Sequence, residues 1–259
     1  MVDAQAVLID IDGVLTVSWE PLVGAVDALR AIRDAGLPFA LITNTTSRTR
    51  ARIAATLADA GFPVEAKDVL TAPSAAADYL REHRPDARCL LLNSGEIAED
   101  LGGVHLVDDA PDVVLTGGAG PEFGYQALNS VFSHLQRGAE LMAMHANLFW
   151  RTSDGLSLDA GAFLLGLQAA AGIEARILGK PARDFFDTAL RGLGATAGNT
   201  AMIGDDVESD VLGAQRHGLT GILVRTGKFQ PDHEDGVQGE LPDHVIDSVA
   251  DLPRLLGLG

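Results

Sequence analysis

Asp10, Asp12 and Gly13 directly follow the apolar run at residues 6–9. Alternate residues of a strand face the same side, so the two carboxylates converge where the strand ends and the chain turns at Gly13. Like charges brought together out of water repel, and burying each without a counter-charge costs on the order of several kcal/mol. A cation is therefore expected beside them. Taken alone, Asp-x-Asp-Gly fits a capped turn equally well, because Asp and Gly are common turn formers. Other stretches of the chain shift that balance.

Thr43, Asn44, Thr45, Thr46 and Ser47 follow a second apolar run and precede a helical segment expected at 48–60. A strand that leads through hydroxyl residues into a helix start presents free backbone N–H groups and partial positive charge, which suits a phosphate; ordinary N-capping by Thr46 or Ser47 is the plainer alternative. Lys180 stands before Pro181 at the end of another apolar run, and the chain has only three lysines, so this one reads less as casual surface charge. It could bridge a carboxylate and a phosphate oxygen, although taken alone a solvated surface lysine is the plainer reading. Lastly, residues 202–210 run from an apolar strand into Gly204, Asp205, Asp206 and Asp210. Asp205 falls at the strand end, whereas Asp206 and Asp210, four apart, are expected on one helix face. Acids near a helix start have a structural use of their own, but that does not account for Asp205. Oxygen donors of this kind suit Mg²⁺.

The elements that position these residues alternate. Short apolar runs at 6–9, 39–42, 89–92, 113–115, 141–144, 201–203 and 221–224 are separated by helical stretches, the pattern of an α/β fold. Leu128, Val131, Phe132 and Leu135 repeat at helical spacing, as do Val207, Val211, Ala214 and Gly218. Residues 227–243, with Pro231 and Pro242, read as an exposed loop. With 259 residues, 47% of them hydrophobic, the chain can bury one large core or two smaller ones. The weakly polar stretch 160–172 is too short to span a membrane, and the start of the chain lacks the basic, then apolar pattern of an export signal. One cysteine, Cys89, can form no internal disulfide. A cytoplasmic protein that does not associate with membranes is expected. The net charge of −17 is spread along the chain, which argues against nucleic acid as a partner and for a self-repelling, soluble surface.

Taken in order, Asp10-x-Asp12-Gly13, Thr43-Asn44, Lys180-Pro181 and Gly204-Asp205-Asp206-x-x-x-Asp210 resemble the four motifs of the haloacid dehalogenase superfamily. Ser47-Arg48 with Gly61-Phe62, residues 121–126, and Thr226-Gly227-Lys228 extend the resemblance over nearly the whole chain. These stretches look like the branch of pyridoxal phosphate phosphatase, phospholysine phosphohistidine inorganic pyrophosphate phosphatase and the haloacid-dehalogenase-like hydrolase domain-containing proteins. The gap from Asp12 to Thr43 has room for one helix and one strand, whereas the gap from Asn44 to Lys180 is long, so an inserted domain belongs in the second gap. The expected architecture is a Rossmann-like parallel-sheet core at 1–84 and 175–259, with an α/β cap at 85–174. A homodimer through the cap is compatible with this branch.

The resemblance also implies roles. Asp10 would be the nucleophile that becomes an aspartyl phosphate, and Asp12 the acid and base. Mg²⁺ would be held by Asp10, the Asp12 carbonyl and Asp205, with Asp206 and Asp210 behind them orienting waters or Lys180. Thr43, Asn44, Thr45 and Lys180 would bind the substrate's phosphoryl oxygens. The stretch 144–151 resembles the cap loop that reaches the substrate in related phosphatases, which makes Asn147, Trp150 and Arg151 candidates for specificity; packing is the alternative for Trp150 and the favoured reading for Phe149, simple solvent exposure is the alternative for Arg151, and a hydrogen-bonded structural role fits His145 as well as a substrate contact does. The function expected is a phosphatase acting on a small phosphorylated metabolite or pyrophosphate. The alternative is a catalytically silent phosphate-ligand binder or scaffold with the same fold.

Overall fold

The apolar run at 6–9 becomes the strand Ala6–Asp10, buried along its whole length, in the middle of a six-stranded sheet. The computed structural model describes residues 1–152 and 155–258, apart from the side chains of residues 150–152 and 235. Strand order is His244–Ile246, Thr220–Val224, Thr200–Gly204, Ala6–Asp10, Phe39–Thr43, Val69–Thr71. The first five of these strands pair in parallel. A strand flanked on both sides by others and covered on both faces reads as a continuous apolar run. Ile9 pairs with Ile203 and Asp10 with Ile42, so Asp10, Thr43 and Gly204 reach the same edge of the sheet.

Two amphipathic helices illustrate how the sheet is covered. Ala25–Asp34 buries Ala25, Ala28, Leu29 and Ile32, spaced as one helical face. Arg183–Leu193 buries Phe185, Phe186, Ala189 and Leu190 and closes on Gly194 in the left-handed region. Each large side chain fully withdrawn from water contributes about 1.5–3 kcal/mol, and Phe185, Ile32 and Leu29 are all fully buried.

The expected helix through Val207, Val211, Ala214 and Gly218 takes a different form. Residues Val207–Leu212 make a π-helical turn in which the Val211 N–H reaches back to the Asp206 carbonyl at 3.3 Å, and the short helix Gly213–Gln215 follows. Val207, Asp210, Val211 and Leu212 are all buried along this turn. Gly218 lies beyond the helix with φ +85.

The chain forms two compact units: residues 1–43, 50–70 and 180–259 in the first, and 44–49 with 71–179 in the second. The long segment of the second unit thus runs from Thr71 to Gly179, against expected bounds of 85 and 174. The reason is packing: the helix Ala72–His83 buries Ala72, Ala76, Ala77 and Leu80 against Cys89, Leu115 and Met142 of the second unit's own sheet. That sheet is parallel throughout, in the order Arg176–Ile177, Glu140–Ala143, Val113–Thr116, Arg88–Leu92, His105–Leu106. Helices Tyr125–Gln136 and Ala160–Ala171 supply Val131, Leu135, Leu164 and Leu167 to a second cluster with Val114 and Leu141. An antiparallel ribbon pairs Phe149–Thr152 with Gly155–Leu158. Among the described residues, no helix is long and apolar enough to cross a membrane.

Candidate active site

Parallel strands that end together bring their following residues together, and in the first unit this rule assembles three carboxylates. Asp10 ends its strand, Asp205 follows Thr200–Gly204, and Asp210 is turned inward by the π-helical turn. All three are nearly completely buried, and their oxygens can lie within 4.8 Å of one another. Lys180, also buried, donates a short hydrogen bond to Asp10 Oδ1 and stands 2.7 Å from Asp210 Oδ1. Within contact distance the three carboxylates thus share one ammonium, which meets two of them, Asp10 and Asp210.

The imbalance shows in their acidity. Burial, and then the charges of Asp10 and Asp210, push Asp205 up to about 8. Burial also pushes Asp210 up to about 7, with Lys180 opposing the shift and Asp10 adding to it. Asp10 is raised by burial in spite of Lys180. For Lys180 burial works the other way, yet Asp10 and Asp210 hold its ammonium above the ordinary lysine range.

Two glycines let the chain close around Asp205. At Gly13, φ +89, a Cβ would fall 2.0 Å from Asp205 Oδ2, and at Gly227, φ +62, another would fall 2.0 Å from the same oxygen. The Thr226 hydroxyl donates to the Gly13 carbonyl at 2.5 Å, and the Lys228 N–H donates to Asp205 Oδ2 at 2.7 Å. Lys228 Nζ meets Asp206 Oδ2 at 3.1 Å. Asp206, half-buried, is held below the usual carboxylate range: partial burial works against this, but Lys228 and the Ser209 N–H prevail.

The six core residues Asp10, Asp12, Lys180, Asp205, Asp206 and Asp210 all fall in the first unit, and Thr43 ends the strand beside that of Asp10, one residue past its partner Ile42. Asp206 and Asp210 do not share a helix face. Asp206 caps the turn by accepting from the Ser209 N–H at 3.0 Å, while Asp210 points inward to Lys180. The Asp12 side chain is exposed, unlike that of Asp10. Asn44 and Thr45, both half-buried, begin the short stretch counted with the second unit. There the Thr46 hydroxyl accepts from the Gly118 N–H at 2.8 Å instead of capping a helix. Asn147 is half-buried, its N–H on His145 Nδ1 at 3.3 Å and its carbonyl accepting from Gly161 at 2.9 Å. The side chains of Trp150 and Arg151 lie outside the described residues. Lys228 was identified in the sequence only through the resemblance, although the scarcity of lysine that singles out Lys180 applies to it equally.

A model of haloacid dehalogenase-like hydrolases matches residues 7–106, and a second, of HAD-hydrolase-like proteins, matches 177–252. The chain is 36% identical over 233 residues to the human haloacid dehalogenase-like hydrolase domain-containing protein 2, covering 90% of this chain and 88% of that one. The chain belongs to the haloacid dehalogenase-like hydrolases. It is also 37% identical over 238 residues to the phospholysine phosphohistidine inorganic pyrophosphate phosphatase of Xenopus laevis, covering 89% and 86% of the two chains. Among solved structures it resembles a glycerol phosphate phosphatase from Mycobacterium tuberculosis in complex with magnesium, with a TM-score of 0.86, 27% identity, and 96% and 77% of the two chains covered. The parallel α/β core expected from the sequence is the fold of this family.

The donor set of this haloacid dehalogenase-like hydrolase fits a hard divalent cation. The clustered atoms are all carboxylate oxygens, they are buried, and the nearest ammonium leaves them under-neutralised. The Cys89 thiol, by contrast, is buried in the second unit and pushed up to about 12, so it offers no thiolate to a soft metal or an electrophile.

Proposed function

We propose that this hydrolase is a Mg²⁺-dependent phosphatase acting on a small phosphorylated metabolite or pyrophosphate, with Asp10 as the nucleophile. The observation that carries the reading is the buried Asp10 carboxylate, at a strand end, held by Lys180 and set beside Asp205 and Asp210. Mg²⁺ bound by Asp10, the Asp12 carbonyl and Asp205 would neutralise charge on the phosphoryl oxygens. Lys180 fixes the rotamer of Asp10 and adds positive charge beside it, while Asp210 fixes Lys180.

In the first half-reaction an Asp10 oxygen bonds to phosphorus as the bond to the leaving oxygen breaks, and the Asp12 carboxyl gives that oxygen its proton. In the second, the Asp12 carboxylate takes a proton from water, the water oxygen bonds to phosphorus, and the acyl phosphate releases Asp10 and inorganic phosphate. Asp12 is suited to both halves because partial desolvation raises it, while Lys228 and the Ser18 N–H pull the other way. Thr43, Asn44 and Thr45 are assigned to the phosphoryl oxygens, and Asn147 and Trp150 to recognition of the leaving group. The small phosphorylated substrate is the partner this site requires.

Acid-quench trapping with radiolabelled substrate tests the reading. Turnover that depends on added Mg²⁺, with a phosphoenzyme mapped to Asp10 and abolished in Asp10→Asn, is the expected result. Binding of phosphate without turnover under any metal would favour a silent phosphate-ligand binder, and a label on another residue would replace the nucleophile.

A further inference from the structure

Two lysines stand among the acids of the site, and they are placed differently. Lys180 keeps only 4% of its side chain exposed and meets Asp10 and Asp210. Lys228 leaves 61% of its side chain in solvent. An ammonium carries three N–H donors and no acceptor. Among the described residues Lys228 Nζ meets one partner, Asp206 Oδ2 at 3.1 Å, so two of its donors remain for water or for a ligand.

The backbone brings this exposed lysine to a buried site. Residues 226–228 lie directly on Gly13, the residue after Asp12: the Thr226 hydroxyl donates to the Gly13 carbonyl, and a Cβ on Gly227 would fall 2.6 Å from Gly13 Cα. The Lys228 N–H donates to Asp205 Oδ2 at 2.7 Å. The root of the side chain is thus fixed between Asp205 and the turn that follows Asp12, while its flexible four-carbon stem can swing the ammonium. The pair with Asp206 does not hold it back, since ion pairs this exposed are worth little.

Charge then decides what such an ammonium can serve. As an Asp10 oxygen bonds to phosphorus, the electron pair of the breaking bond goes to the leaving oxygen, on the side of Asp12. A leaving group that already carries negative charge must approach the carboxylates of Asp12 and Asp206, and like charges repel. Lys180 is committed to Asp10 and Asp210, whereas Lys228 has donors to spare for charged oxygens.

We propose that Lys228 is a specificity-determining residue that selects substrates with an anionic leaving group, binding that group's oxygens through the donors Asp206 leaves unused. The class is a phosphoryl group carried on a phosphate or on a small carboxylic acid, not a simple alcohol ester. The inference rests on the reading of the site as a phosphatase with Asp10 as nucleophile.

The test compares kcat/KM for pyrophosphate, 2-phosphoglycolate and ethyl phosphate, with Mg²⁺ in excess of substrate, in the native protein, Lys228→Gln, Lys228→Arg and Asp206→Asn. 2-Phosphoglycolate and ethyl phosphate share a two-carbon chain and differ by the carboxylate. Lys228→Gln keeps the N–H that Asp205 accepts from. It is expected to lower kcat/KM for the anionic leaving groups at least about tenfold more than for ethyl phosphate, mainly through KM, and Lys228→Arg is expected to retain most of the native preference. A loss on one anionic substrate alone names phosphate or carboxylate as the group bound. Asp206→Asn breaks the ion pair but leaves the ammonium, so it is expected to keep the preference. Equal loss on all three substrates in Lys228→Gln, no loss, or the same loss of preference in Asp206→Asn overturns the selection. No Mg²⁺-dependent turnover by the native protein, or turnover without a phosphoenzyme on Asp10, overturns the reading of the site and the inference with it.

Discussion

Asp205 lies between two glycine backbones and two other carboxylates, so its protonation and its affinity for a cation are one problem. Its carboxyl is raised to about 8 in the metal-free protein against 3.8 for an ordinary aspartate. The folded state therefore binds the extra proton between those values, and linkage gives the sign: stability from this group is full below about pH 4 and is lost as pH rises through 8. Asp210, raised to about 7, adds to the same trend. Metal-free protein should melt at lower temperature at pH 8.5 than at pH 5.5, and Asp205→Asn should flatten that slope, as calorimetry would read. Added Mg²⁺ should stabilise the native protein more as pH rises, because the ion takes the proton's place. For the metal itself, Asp205→Ala should weaken Mg²⁺ binding by at least about tenfold, roughly 1.4 kcal/mol, in titration calorimetry, and Asp206→Ala should weaken it less. Asp210→Ala differs again: it removes one of the two carboxylates that hold Lys180 and leaves Asp10 as the other, so this variant should loosen Lys180 and slow turnover more than it weakens Mg²⁺ binding.

At the scale of elements, the site depends on backbone segments that approach closely. Gly13→Ala would place a Cβ 2.0 Å from Asp205 Oδ2 on a backbone at φ +89. Gly36→Ala is the control: φ is +69 there, and nothing lies within 4 Å of the added atom. Both substitutions pay the left-handed penalty, about 1–2 kcal/mol, but only Gly13→Ala should also reduce Mg²⁺ affinity and turnover. Equal effects of the two on Mg²⁺ binding would mean that the close approach is immaterial. The same elements show what the sequence could reveal. Buried strands are written in apolar runs, so the strands that end at Asp10, Thr43 and Gly204 were legible, and with them the acids that follow. The π-helical turn was not: Val207, Val211 and Ala214 fit a regular helix as well, and the contact that Asp210 makes from this turn is to Lys180, a residue far away in the chain. The start of the second unit was missed for a similar reason, since the composition of Ala72–His83 does not say which sheet its alanines pack against.

For the whole molecule, charge sets the terms on which an anionic substrate arrives. The chain carries 36 acidic and 19 basic residues, a net −17, and its few lysines include two at the site, Lys180 and Lys228. At long range a phosphate dianion meets repulsion; within a few ångströms it meets these ammonium groups. Screening separates the two regimes, because the Debye length is about 30 Å at 0.01 M salt and about 8 Å at 0.15 M. Raising ionic strength over that range removes the distant repulsion and leaves the close contacts largely intact. At saturating Mg²⁺, kcat/KM for a dianionic substrate should therefore rise with added salt, while kcat stays nearly constant, since bound substrate no longer feels the distant field. A fall in kcat/KM would instead show that local positive charge extends far enough to steer the substrate, and charge reversals on the acidic surface should then leave the association rate unchanged.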